Sequence, residues 1–398
     1  MSFDVCPICG QACGAPLLRR DRVPVFLNRV YPTAESALQA VTGRLELSYC
    51  RTCQFGFNAA FDPAAIAYGP DYENNQGYSP SFSRHLDSMV KLVLRDLGSS
   101  RAVLEVGCGQ GDFLRRLAAA LPGSVELAGV DPSYRSTHQP EPRIRFGATT
   151  LDRFTAELPK VPWIALSRHV IEHVRTPVDF VASLLSGQAS AGPDRLLLET
   201  PSFEWIVRNR MWIDVFYEHC SYFTGSSLRK IGSRAGWSVV SVDAVFGKQY
   251  FWLTARRKSA LETEAESTGP DCLMAAEVEE FASGETEMRS YWQRRIEAAA
   301  QKGPVAIWGA GAKGMTFATL LDSDRSRVKC LIDLNPAKQD CFTPLSAHPI
   351  VSPEGALKAG VVAAFVMNPN YLDEIRLMTA GTSLELVGVE SPDNALHI

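Results

Sequence analysis

Val103-Leu104-Glu105-Val106-Gly107-Cys108-Gly109-Gln110-Gly111-Asp112-Phe113-Leu114 is the stretch from which the rest of the chain can be placed. An apolar run enters an acid and three alternating glycines, and an amphipathic stretch follows. This reads as a buried strand, a tight turn and a helix N-terminus. Glycines at such a turn admit positive φ and let the backbone come close to a ligand. Twenty residues past Gly111, the run Leu127-Ala128-Gly129-Val130 ends on Asp131, where a carboxylate can accept from both hydroxyls of a ribose. By spacing alone the same glycines could also serve only strand-to-helix packing.

Together these residues resemble the class I S-adenosylmethionine-dependent methyltransferases, whose E/D-x-G-x-G-x-G loop holds the methionine side of the cofactor. Glu105, Gly107, Gly109, Gly111 and Asp131 match that pattern. Trp163 to Val174, with its Glu172-His173-Val174, resembles the family's fourth strand and the turn after it, and Arg195 to Pro201 its fifth strand. The resemblance implies a methyltransferase domain over about 63–257. It also implies cofactor contacts from Gln76, Cys108, Pro132 and His169 beside the matched residues.

At 398 residues and 46% hydrophobic, the chain exceeds one ordinary core and suggests two or three domains. A net charge of −4 gives no reason to expect nucleic acid or a membrane surface as partner. Neither a long apolar run nor a basic-then-apolar N-terminus is present, so a cytoplasmic enzyme acting on a small molecule is expected.

Five of the ten cysteines fall early. Cys6-Pro7-Ile8-Cys9 and Cys50-Arg51-Thr52-Cys53 are two C-x-x-C knuckles, able to close a tetrahedral four-thiolate site. The expectation is one structural Zn2+ in a ribbon over 1–62, with Cys13 a bystander; the other reading is redox or unpaired thiols. Between ribbon and glycine loop, 68–82 is polar and aromatic, and suits a lid over the cofactor or a surface connector equally.

After the fifth strand, Trp212 to Phe223 sets Glu218 beside His219 among aromatics and an aspartate. An imidazole accepts a proton near neutral pH, and a neighbouring carboxylate can orient it; a histidine satisfied inside an aromatic run is the competing reading. A linker and helical segment is expected over 258–302. Beyond it, Gly309-Ala310-Gly311-Ala312-Lys313-Gly314 forms a second glycine loop, with Asp333 ending the next strand. Taken alone, that is a dinucleotide fingerprint and makes a nicotinamide oxidoreductase the rival reading.

The order ribbon, methyltransferase, glycine-loop domain resembles the three-domain C-methyltransferases of deoxysugar biosynthesis. Gly309 to Gly314 matches that family's C-terminal loop, and Asp333-Leu334-Asn335-Pro336-Ala337-Lys338 matches its D-x-x-P-x-K. The resemblance implies an α/β chain with a Rossmann-like domain at 303–398, a nucleotide-linked keto-sugar substrate, and S-adenosylmethionine as methyl donor with S-adenosylhomocysteine as product. It further implies His219 as base, Glu218 as its partner, and Tyr72 or Tyr217 on the enolate oxygen, with Tyr222 and Lys313 as substrate contacts. Glu218 and His219 match the last two positions of the family's Y-H-E-H segment, but Phe216 and Tyr217 replace its tyrosine and histidine. O- or N-methylation of another acceptor is the alternative chemistry, and a scaffold without turnover the alternative class.

Overall fold

A computed structural model describes residues 5–66, 77–135, 142–154, 161–185, 192–259 and 272–389. Three sheets are present among them. The seven-stranded sheet runs from edge to edge as Trp237–Val245, Tyr250–Arg257, Arg195–Pro201, Trp163–Arg168, Ala102–Val106, Glu126–Val130 and Ile144–Gly147. Five of these are parallel neighbours, and Tyr250–Arg257 runs antiparallel beside Arg195–Pro201. Ala102–Val106 is buried throughout and Trp163–Arg168 nearly so, as strands covered on both faces must be. Chain order reverses between these two central strands, which opens the crevice at their carboxyl ends where α/β sheets bind ligands.

One cover is the helix Pro80–Asp96. Ser79 caps it by accepting from the Phe82 N–H, Pro80 supplies the preset first turn, and Phe82, Leu86, Met89, Val90 and Val93 form one buried face at three- and four-residue spacing.

The N-terminal sheet orders Leu18–Pro24, Thr42–Cys50, Phe55–Asn58 and then Ser221–Tyr222, a strand supplied by the segment after His219. Its inner residues Leu45 and Leu47 join one apolar core with Phe203, Trp212, Tyr217, Trp292, Phe317 and Phe365. Residues of the expected ribbon, from Leu18 to Phe61, thus share this core. Helix Ala275–Ala300, within the expected helical segment, buries Val278, Phe281, Met288, Trp292 and Ile296 in the same core. The third sheet is wholly parallel: Ile350–Val351, Val328–Ile332, Val305–Trp308, Ala363–Val366 and Glu385–Gly388. The expected α/β plan of a small cysteine-bearing sheet, a central methyltransferase sheet and a C-terminal Rossmann-like sheet is what the chain forms. No described helix is long and apolar enough to cross a membrane.

Candidate active site

The first glycine loop takes left-handed backbone at all three glycines, with φ of 77° at Gly107, 54° at Gly109 and 83° at Gly111. A side chain on Gly107 would strike Val170, and one on Gly111 would strike Phe146, whereas the side of Gly109 is open. The chain therefore keeps a bare backbone facing the crevice, with the helix Asp112–Ala120 starting behind it. Asp131 locks this loop: one oxygen accepts from the Gly109 N–H at 2.8 Å, the other from the Ser133 N–H and hydroxyl at 2.7 and 2.6 Å. A carboxylate has about four acceptor positions, so one remains for a ribose hydroxyl. Pro132 follows directly. Cys108 turns its thiol into the protein against Gly129, which leaves only its backbone to meet a cofactor. Gln76 and Tyr72, and with them most of the lid-or-connector stretch, lie outside the described residues.

A buried charge network stands behind the loop. Arg168 donates to Glu199 at 2.7 Å and lies 4.0 Å from Glu105, and His85 pairs with the other Glu199 oxygen. Burial raises a lone carboxyl, but at Glu199 the charges of Arg168, His169 and His85 outweigh it and hold the group well below the usual range. For Glu105 burial wins over Arg168, and its pKa is pushed up to about 7. His169 closes the strand Trp163–Arg168 at a positive φ of 53°, its ring edge-on to Tyr250 at 4.7 Å. A β-carbon-bearing residue held there costs about 1–3 kcal/mol, the kind of strain found around binding sites.

A cleft of about 250 Å³ begins at His169 and runs past Glu172, His173, Phe216 and His219 to Gly309, Gly311, Lys313 and Gly314 of the second glycine loop. His219 packs against Phe216 with ring centroids 4.1 Å apart and planes tilted by 43°, and meets His173 edge-on at 4.9 Å. Burial, then the nearby His173, His169 and Lys313, push its pKa well below the usual imidazole value, which favours the neutral ring. Lys313 pairs with Asp214 at 2.8 Å and stands over the Trp205 ring. Asp333 repeats the device seen at Asp131: its oxygens accept from the Ala310 and Asn335 N–H groups, and Lys338 donates to the Ala310 carbonyl.

Other expected contacts fall elsewhere. The Tyr217 hydroxyl accepts from the Asp62 N–H at 2.9 Å, and its buried ring lies under Gly43, away from the cleft. Tyr222 is equally buried, its hydroxyl accepting from the Phe216 N–H and donating to the Phe216 carbonyl. Both hydroxyls are engaged within the protein, and neither tyrosine is among the residues that line the cleft. Glu218 accepts from the Leu27 N–H at 2.7 Å, tying that segment to the N-terminal sheet. Sequence reasoning passed over His173 and Asp214, although both sit inside stretches it had singled out. Asn28, Gln249 and Asn368 also reach the cleft, from three distant parts of the chain and with no local signal.

Cys6, Cys9, Cys50 and Cys53 converge, all four sulfurs within 4.8 Å of one another, and Cys13 is outside the group. Cys9 and Cys50 sulfurs are 3.7 Å apart. A tetrahedron with metal–sulfur bonds of about 2.3 Å has edges of about 3.8 Å, so the donor set fits one such ion. The Ile8 and Cys53 N–H groups point at the Cys6 and Cys50 sulfurs, and Cys53, opposed by burial, helps bring the Cys6 thiol down to about 5.

Residues 82–242 match the methyltransferase domain family, and residues 258–383 match the C-methyltransferase C-terminal domain. The chain is an S-adenosylmethionine-dependent methyltransferase. Its second glycine loop is part of the C-methyltransferase domain, which makes this methyltransferase a C-methyltransferase. It is 24% identical over 397 residues to the C-methyltransferase NovU of Streptomyces niveus, covering 94% of this chain and 91% of that one. Among solved structures, magnesium protoporphyrin IX methyltransferase of Synechocystis PCC 6803 matches 45% of this methyltransferase and 84% of its own chain at 20% identity and a TM-score of 0.34. The 1,6-didemethyltoxoflavin-N1-methyltransferase of Burkholderia thailandensis matches 45% and 82% at 18% identity and a TM-score of 0.33.

Proposed function

We propose that the enzyme methylates a carbon next to a ketone in a nucleotide-activated keto-sugar, with His219 as the base. One observation carries this reading: His219 and the Gly309 to Gly314 loop line a single cleft, although they belong to different sheets. A substrate with an acidic carbon at one end and phosphates at the other spans such a cleft. Lys313 and the start of the helix Ala312–Leu321 suit the anionic end, and distant similarity to NovU supports a sugar acceptor.

In this reading Gly107 to Gly111 and Asp131 hold S-adenosylmethionine, whose sulfonium supplies the methyl group that the enolate carbon takes. His219 removes the α-proton as a neutral imidazole and later returns it to solvent. Phe216 packs its ring and Glu218 positions its segment. Of the two phenols expected on the enolate oxygen, Tyr72 keeps that role in this reading, since the Tyr217 hydroxyl bonds the Asp62 N–H. One zinc at the four thiols holds the hairpin whose strand Phe55–Asn58 pairs with Ser221–Tyr222, two residues beyond the base.

His219→Ala is expected to keep adenosylhomocysteine affinity and to lose about 10²- to 10⁴-fold in methyl transfer, and Glu218→Gln to lose less. With adenosylhomocysteine in heavy water, wild type should exchange the α-proton of a nucleotide keto-sugar and His219→Ala should not. Full activity in His219→Ala refutes the assignment of the base; an active enzyme without α-proton exchange points to a heteroatom acceptor.

A further inference from the structure

Apart from the four thiols, metal-ligating side chains of the described residues converge in one other group of three. Donor atoms of Glu172, His173 and His219 lie within 4.8 Å of one another. Glu172 and His173 come from the short turn Ile171–His173 after a central strand, and His219 from a segment some forty-five residues on. All three face the cleft, so an ion has a path in and water has room to complete its shell.

Two imidazoles and one carboxylate are a ligand set for borderline divalent ions. The outer contacts are those that tune such ligands. His173 bonds through its ring to the Glu218 backbone carbonyl, which fixes one nitrogen as donor and leaves the other with its lone pair. Glu172 accepts from the Thr200 hydroxyl at 3.1 Å through one oxygen, and its other oxygen is 3.4 Å from His169 Nδ1. With bonds of about 2.1 Å the donors would sit about 3.4 Å apart, so a pair at the 4.8 Å limit would close by about 1.4 Å on binding.

We propose that Glu172, His173 and His219 form a second metal site, for a divalent ion such as zinc or cobalt(II), and that the ion competes with the substrate proton for His219. The competition rests on His219 being the base; the site does not. An ion there withdraws the lone pair that would accept the proton, and a filled site is an inhibited enzyme.

The test uses whole protein with its thiol site already filled, titrated with cobalt(II) by visible absorption and with zinc by calorimetry. Wild type should bind one further ion per chain, and added zinc should remove its activity reversibly on mild chelation. His173→Ala and Glu172→Gln should lose the second ion while keeping the first and keeping adenosylhomocysteine affinity, which shows that they are folded. Thr200→Val, which deletes only the hydroxyl holding Glu172, should weaken the second ion by about 10- to 100-fold. No second ion in wild type, or a second ion undisturbed in both His173→Ala and Glu172→Gln, overturns the site. An ion bound there without loss of activity overturns the competition. Neither result bears on whether His219→Ala is inactive, so failure here is distinct from failure of the base assignment.

Discussion

Arg20 belongs to the N-terminal sheet yet holds the turn that leads to His219. Its side chain is 4% exposed and donates to Glu285 at 3.0 Å, to the Trp212 carbonyl at 2.8 Å and to the Val215 carbonyl. Those carbonyls belong to the turn that leads into Phe216 and His219. Arg20→Met would leave the 10% exposed Glu285 without its main partner, and breaking such a buried pair costs about 3–5 kcal/mol. Two carbonyls also lose charged donors, about 1.5–3 kcal/mol each if fully felt. These losses do not add, because Arg289 stands 3.8 Å from Glu285 and is exposed enough to move closer. The net expectation is about 3–5 kcal/mol, read as a fall in the urea midpoint at unchanged slope. Adding Glu285→Leu should return at least about 2 kcal/mol, since an apolar pair replaces a broken ionic one. At temperatures where Arg20→Met stays folded, adenosylhomocysteine should bind nearly as well as to wild type while methyl transfer falls. A loss under about 1 kcal/mol, or a double variant as unstable as the sum of the singles, would refute the reasoning.

Purified protein is expected to carry one zinc at the thiols; Cys50→Ser should release it, and Cys13→Ser should not, as elemental analysis will show. Asp131→Ala should weaken adenosylhomocysteine by about 1.5–3 kcal/mol in calorimetry, because it removes both a charged acceptor and the lock on Gly109. Unchanged affinity would place the cofactor elsewhere. Burial raises Glu105 to about 7 in the folded protein, so the fold binds more protons than the unfolded chain between the ordinary carboxyl range and pH 7. Stability contributed by this group therefore falls as pH rises through that window and stays lost above it, on the order of 3 kcal/mol. Glu105→Gln should flatten that part of the stability profile, and parallel profiles for variant and wild type would exclude the assignment.

Local chemistry made much of this protein readable from its sequence. Three glycines at alternate positions after an apolar run admit few structures other than a strand, a left-handed turn and a helix start, and Gly107, Gly109 and Gly111 adopt that turn. Two C-x-x-C knuckles likewise bring four thiols together from residues forty apart. Such motifs carry their geometry within a few residues, so spacing alone reveals them. What tertiary structure decided are the partnerships between distant segments. Tyr217 and Tyr222 look like substrate contacts in the sequence, yet their hydroxyls are taken by Asp62 and Phe216, because burying a phenol requires a partner. Glu218 holds Leu27 instead of facing the cleft, and the strand beside His219 completes the cysteine-bearing sheet. The convergence of Glu172 and His173 with His219, and of Lys313 with Asp214, depends on how three sheets pack against one another. No local period or spacing encodes that packing; it follows from burying one shared core, to which the N-terminal sheet, the His219 segment and the C-terminal domain all contribute.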